Sequence, residues 1–277
     1  MMVHTEEHRR RGRPRSSSPY HNAGTVQALD RALTLLQLVA ETDGSTLTEL
    51  SQRAGMAPST VHRLLLTLES QRFVEFQPET GDWAVGVEAF RIGSAFLRRT
   101  KVATLGRETM RELMESCGET VNLGIADEGD IVFVSQVETH EHIRAFFRPG
   151  TREPLHASGI GKALLAQMSP AKLRNILQKK GLARFTAKTI VDPAQLTGEL
   201  EATRRRGWAI DDEERTLGMR CVAAPVFNVF GEALAGISIS GPAVRMPLER
   251  LGELGPQVAR AADAITRSLG GVRGEAG

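Results

Sequence analysis

Between Thr46 and Leu68 the chain spaces two short apolar-periodic segments around a glycine, and this stretch limits the possible folds more than any other. Leu47, Leu50 and Ala54 recur at helical spacing, Gly55 stands where a helix must stop, and Pro58-Ser59-Thr60 supplies a second start. Val61, Leu64, Leu65 and Leu68 give the second helix an apolar stripe, which leaves Ser59, Thr60, His62, Arg63 and Thr67 on its other face. Such a pair is a helical hairpin packed for stability alone, or a helix-turn-helix. In the latter the second helix lies in a major groove and those side chains meet phosphates and base edges.

The residues after Leu68 favour the helix-turn-helix. From Arg72 to Val85 apolar and polar residues alternate on either side of Pro78-Glu-Thr-Gly-Asp82, which reads as a β-hairpin, and a hairpin behind a recognition helix is a wing. Upstream, Val26–Val39 carries apolar residues at the spacing of a helix that buries one face. Residues 23–85 are therefore expected to form a winged helix-turn-helix domain. Residues 21–99 hold more acidic than basic side chains, so the sum of charge does not reveal a nucleic-acid partner. The arrangement has to carry it, with Arg53, His62, Arg63 and Arg72 converging in space.

Ahead of this domain, residues 1–22 form a basic tail in which Arg9, Arg10, Arg11, Arg13 and Arg15 face only Glu6 and Glu7. It is poor in apolar residues and is expected to be disordered when free. Gly12-Arg13-Pro14-Arg15 resembles the core of an AT-hook, which lays arginines along a narrow minor groove. A solvated tail attracted to phosphate alone is the simpler alternative.

The full length, 277 residues, exceeds one typical domain. Gly86–Arg99 and Val102–Ser116 read as helices with a break near Thr100, a helical linker over residues 86–116. From Glu119 the texture changes to short strands at Val121–Ala126, Ile131–Val137 and Ile143–Phe147, with helices at Ile160–Met168, Pro170–Lys180 and Asp192–Arg206. Strands at Trp208–Asp211, Arg220–Phe227 and Ala233–Ser240 precede a last helix near Met246–Leu269. Strands that neighbour in sequence, with helices beside them, predict an α+β domain over residues 117–270 built on an antiparallel sheet.

No apolar run approaches the roughly 20 residues that cross a bilayer and the start is charged, so a cytoplasmic protein with no membrane partner is expected. The two cysteines, Cys117 and Cys221, have no metal-type spacing, and His140-Glu-His142 has no further ligand nearby in sequence. Phosphate-binding glycine signatures are missing too, so neither metal nor cofactor is expected.

Taken together, the chain resembles the IclR family of bacterial transcription regulators over roughly residues 23–270. The likeness rests on Thr46–Leu68, Leu155-His-Ala-Ser-Gly-Ile-Gly-Lys-Ala-Leu-Leu165, Gly207-Trp-Ala-Ile-Asp-Asp-Glu-Glu214, Cys221-Val-Ala-Ala-Pro-Val226 and Gly236-Ile-Ser-Ile-Ser-Gly241. That resemblance implies an N-terminal winged helix-turn-helix that binds double-stranded operator DNA and a C-terminal effector-binding domain of GAF-like fold. It also implies a homo-oligomer, a dimer or a dimer of dimers.

Residue chemistry points the same way. Gly159, Ile160 and Gly161 open a helix, so their backbone N–H groups can face a carboxylate, unless the glycines serve only a strand-to-helix turn. Ser238 and Ser240 are two apart on a strand and point to one face, toward a polar ligand or toward water. Asp211 can accept a hydrogen bond from a hydroxyl or hydrated aldehyde, and Cys221 is small enough for a tight wall or a simple core filler. Asp212, Glu213 and Glu214 are expected to be solvated neighbours. By resemblance to family members that sense a very small oxo-acid such as glyoxylate, the effector contacts match Gly159, Ile160, Asp211, Cys221, Ser238 and Ser240, with Met219 and Leu155 as apolar walls. Two other functions compete: an enzyme with Cys221 as nucleophile, His156 as base and Asp211 as orienter, and an architectural DNA protein whose C-terminal domain merely dimerises.

Overall fold

The computed structural model describes residues 26–273, so the arginine-rich tail and its AT-hook resemblance lie outside the described residues. The chain divides between Ala95 and Phe96 into two compact units.

In the N-terminal unit, helix α1 (Gln27–Ala40) packs on α2 (Leu47–Ala54) and α3 (Pro58–Ser70). Their apolar stripes close a core of Leu35, Val39, Leu50, Val61, Leu65, Val74 and Trp83. Helix α2 begins in a reciprocal cap: Thr46 Oγ1 accepts from Glu49 N–H, and Glu49 Oε2 accepts from Thr46 N–H at 2.9 Å. It ends at Gly55, whose φ of 60° is the left-handed cap for which the sequence needs a glycine. Strands β2 (Val74–Gln77) and β3 (Asp82–Val85) form the hairpin, and β1 (Ser45–Thr46) adds to its far edge. Helix α4 (Val87–Thr100) follows, and Lys101, in a left-handed conformation, separates it from α5 (Val102–Cys117).

The C-terminal unit is α+β and is built on a six-stranded antiparallel sheet in the order β6-β5-β4-β9-β8-β7. Its strands are β4 (Thr120–Asp127), β5 (Asp130–Val137), β6 (Arg152–Pro154), β7 (Ala209–Asp212), β8 (Met219–Phe227) and β9 (Ala233–Pro242). Glu128 and Gly129, both with positive φ, make the two-residue turn between β4 and β5. One face of the sheet packs Val121, Leu123, Val222, Ile237 and Ile239 against α5 and the terminal helix α9 (Leu248–Ser268). The other face receives the short helix α6 (Gly159–Leu165), with α7 (Pro170–Lys180) and α8 (Pro193–Arg206) outside it. No described helix is long and apolar enough to cross a membrane.

The strand expected at Ile143–Phe147 is absent, and the segment has no regular structure. The free edge of β5 is occupied instead by residues 150–154: Ile131 pairs with Glu153, and Phe133 N–H donates to Thr151 C=O. The apolar spacing that mimics a strand comes from Ala145, which is buried, and Phe147, which stacks on Phe133 with ring centroids 4.5 Å apart.

Candidate functional site

Two adjacent rows of side chains cross the sheet beneath α6. Strand register aligns Asp211 with Cys221 and Cys221 with Ser240, and the next row aligns Ala223 with Ser238 and Ser238 with Asn122. Because side chains alternate along a strand, Ser238 and Ser240 rise on the α6 face while Ile237 and Ile239 enter the core on the other. Both hydroxyls are buried, Ser238 at 1% exposure and Ser240 at 3%. Their oxygens lie 3.4 Å apart, and Asn122 Nδ2 donates to Ser240 Oγ at 3.3 Å.

Glycines set how closely α6 can approach. A Cβ on Gly159 would come within 2.6 Å of Cys221 Sγ, and one on Gly236 within 2.7 Å of Ile160 Cγ2. The helix therefore sits against the sheet with its amino end over Cys221. Ser158 caps that end, its Oγ accepting from Gly161 N–H at 3.1 Å, and Lys162 N–H donates to Ser158 C=O at 2.9 Å. Of the three N–H groups expected to be open, Gly161 is thus already satisfied, and Gly159 and Ile160 remain.

Between α6 and the sheet lies a cavity of about 30 Å³. Gly159, Ile160, Asp211, Met219, Cys221, Ser238 and Ser240 all line it, together with Phe133, Phe147, Glu153, Ala157, Ser158, Arg215 and Thr216. A water needs some 10–15 Å³ on this measure, so the space holds about two or three water-sized groups. Leu155, expected as a wall, does not line it. It opens the 3-10 turn Leu155–Ala157, whose tight rotation turns Ala157 and Ser158 to the cavity and Leu155 into the neighbouring apolar core.

The electrostatics are unusual for so small a space. Lys162, 1% exposed, is ion-paired with the buried Glu214. Glu214 is not the solvated neighbour expected from sequence, because the turn after β7 folds it inward. Its N–H donates to Asp211 Oδ1 at 2.8 Å, and Thr189 Oγ1 donates to its carbonyl at 2.6 Å. Asp212 and Glu213 instead face outward, to Lys188 and Arg220. Burial raises the Asp211 carboxyl to about 7, with the Lys162 charge opposing and Glu214 adding to the rise. Burial also pushes the Cys221 thiol up to about 12, with Asp211 adding to the rise. A thiol so held is a neutral wall and not a nucleophile. His156 does not line the cavity: its Nε2 lies 2.9 Å from Ala183 C=O, and burial lowers its pKa. The nucleophile, base and orienter of an enzyme are not assembled. Exposed His140 and His142 belong to no cluster of three or more His, Cys, Asp or Glu among the described residues.

Lys162, Glu214, Arg215, Asn122 and the Phe133–Phe147 stack are site features that local sequence pattern does not reveal. Lys162 stands within the Leu155–Leu165 motif, but its direction depends on how α6 lies on the sheet. Phe147 carries a signal in the apolar spacing of its segment, which reads equally as a strand.

On the N-terminal unit, Ser59, His62 and Arg63 are exposed along α3 and Thr60 is half-buried. Pro58 opens the helix and the preceding Ala57 offers no side-chain cap, so the Ser59 N–H is left for an outside acceptor. The expected convergence of Arg53, His62, Arg63 and Arg72 is not what the fold gives. Arg53 is drawn into an ion pair with Glu41 beyond the end of α1, and Arg72 lies past the far end of the 13-residue α3, at the root of the wing. Of the four, His62 and Arg63 are exposed near the middle of α3.

Comparison with known proteins covers both units. The sequence model described as bacterial transcriptional regulator IclR C-terminal matches residues 94–267, and the IclR helix-turn-helix domain matches residues 28–78. The HTH-type transcriptional regulator BhcR of Paracoccus denitrificans (strain Pd 1222) is 52% identical over 261 residues, 93% of this chain and 94% of that one. The transcriptional repressor IclR of Escherichia coli (strain K12) is 43% identical over 267 residues, 95% and 97% of the two chains. The crystal structure of the Thermotoga maritima IclR has a TM-score of 0.73 at 30% identity, covering 87% of this chain and 98% of that one. Both halves of the chain are thus matched, in order, by the two halves of one kind of regulator, and the chain belongs to the IclR family of DNA-binding bacterial transcription regulators, not to a family of enzymes.

Proposed function

We propose that this regulator senses a very small oxo-acid, glyoxylate or a close hydroxy- or oxo-acid relative, in the cavity beneath α6, and that occupancy changes its affinity for operator DNA. The observation that carries the reading is the cavity's combination of size and lining. About 30 Å³ favours a small ligand over an aromatic ring, and the lining gathers two buried hydroxyls, Ser238 and Ser240, bonded to each other and to Asn122, beside the amino end of α6. Hydroxyls that exchange those bonds for bonds to a ligand's oxygens stay satisfied on binding, so the site suits a ligand rich in oxygen. In this reading Asp211 meets a hydroxyl or hydrated aldehyde, and Ile160, Met219 and Cys221 form the walls.

The DNA-facing set is Ser59, Thr60, His62 and Arg63 on α3, with Arg72 reaching the backbone from the wing. Relatives include proteins named repressors, and repression by a homo-oligomer, a dimer or a dimer of dimers, is the mode we assign. Residues 23–85, 86–116 and 117–270 then serve as reader, connector and sensor.

Calorimetric titration of the full chain with a panel of C2 to C4 acids tests the assignment. Glyoxylate or a close relative is expected to bind saturably, and at a hundredfold excess over its Kd to stabilise the protein by about 2.7 kcal/mol in a thermal melt. A panel in which no small acid binds, or in which an aromatic acid binds best, would refute it.

A further inference from the structure

The charges around the cavity do not balance for an anionic ligand. Lys162 on α6 is neutralised by Glu214, and Arg215 by Glu153 on β6. Asp212 and Glu213, beyond Asp211 on its own chain segment, are matched by Arg220 on β8 and by Lys188. Cys221 on β8 and the hydroxyls on β9 are neutral, and burial lowers the pKa of His156, which disfavours a positive charge there. Among the described residues around the cavity, Asp211 is the carboxylate left without a countercharge of its own, and it is 8% exposed and on the cavity wall. One of its oxygens is committed to Glu214 N–H at 2.8 Å. A bound carboxylate in about 30 Å³ would stand against it with no water between, and two like charges at such separation do not both stay ionised.

From this charge count we infer that the cavity takes its small acid as a monoanion together with one proton from solvent, held on Asp211, and that it rejects dianions of the same size. The inference rests on the proposed sensor site and deepens it. The proton converts Asp211 from an acceptor into a donor, so its free oxygen can hydrogen-bond an oxygen of the ligand, and it leaves with the ligand. Net charge in the cavity is then unchanged by binding, whereas a dianion would require a second proton, and the adjoining buried carboxylate, Glu214, is held by its ion pair with Lys162. The raised Asp211 carboxyl accords with this, because burial has already made the protonated form accessible near neutrality.

The test is calorimetry on the full chain with glyoxylate, in two buffers of different ionisation enthalpy, at pH 5.5, 7 and 8.5. Uptake close to one proton per site at pH 8.5 and close to none at pH 5.5 is expected, with Kd rising about tenfold per pH unit above neutrality. Oxamate and oxalate, nearly equal in shape and differing by one charge, are titrated alongside. Oxamate should bind at least tenfold more tightly than oxalate at pH 8.5. In Asp211→Asn the proton uptake and the pH dependence of Kd should both vanish, and the wild-type buffer comparison decides the matter should that variant not fold. Glyoxylate binding at pH 8.5 without proton uptake, or oxalate binding as tightly as oxamate, overturns the inference alone. Absence of any small-acid binding overturns the sensor site and the inference with it.

Discussion

Asp211 carries the sharpest residue-scale consequence, because its environment opposes its own charge. Its carboxyl sits at about 7 in the folded chain, well above its ordinary 3.8. A carboxyl raised on folding contributes stability that is complete below its ordinary value and is lost as pH climbs through the folded one. The contribution of Asp211 to the stability of the C-terminal unit should therefore fall between about pH 4 and pH 7. Asp211→Asn removes the dependence. The variant's Tm should match the parent's near pH 4, exceed it increasingly up to pH 7, and keep that margin above pH 8, as differential scanning calorimetry would read. A margin that shrinks as pH rises would mean that Lys162 and not burial dominates at this carboxyl.

At the scale of elements, the site exists because α6 can lie flat on β8 and β9, and Gly159 is the contact that permits it. An added methyl at 2.6 Å from Cys221 Sγ forces the helix off the sheet. Gly159→Ala is expected to cost about 1–3 kcal/mol in chemical denaturation and to abolish small-acid binding, with part of the stability returned by Cys221→Ala in the same chain. Equal stability of Gly159→Ala and the parent would show that α6 docks elsewhere. These elements differ in how far local pattern reveals them. The α2–turn–α3 unit, the pleat that groups Ser238 with Ser240, and helices α7 and α8 follow from local periodicity, caps and turn residues, which act over a few residues. Features hidden from such a reading depend on distant partners. Ile143–Phe147 yields the edge of β5 to a better claimant, and Glu214 turns inward because Lys162, far away in sequence, meets it there. Arg53 is drawn toward Glu41 by a pairing that helical spacing does not encode.

At the scale of the whole molecule, the proposed function joins a reader that grips DNA through α3 to a sensor whose cavity is buried in a separate unit. Coupling between them is a difference in ligand affinity between DNA-competent and DNA-released states, and typical values correspond to about a 5–150-fold change in binding. It requires no contact between ligand and DNA, so the two activities should separate by mutation. Ser238→Ala with Ser240→Ala removes the hydroxyl pair and leaves α3 untouched. The decisive quantity is the affinity of the full chain for its operator, by fluorescence anisotropy, with and without saturating glyoxylate, in the parent and in this double variant. A shift of at least about fivefold is expected in the parent and none in the double variant, with equal operator affinity of the two in the absence of ligand. A parent indifferent to every small acid, or a double variant that responds as the parent does, would contradict the assignment of a ligand-gated reader.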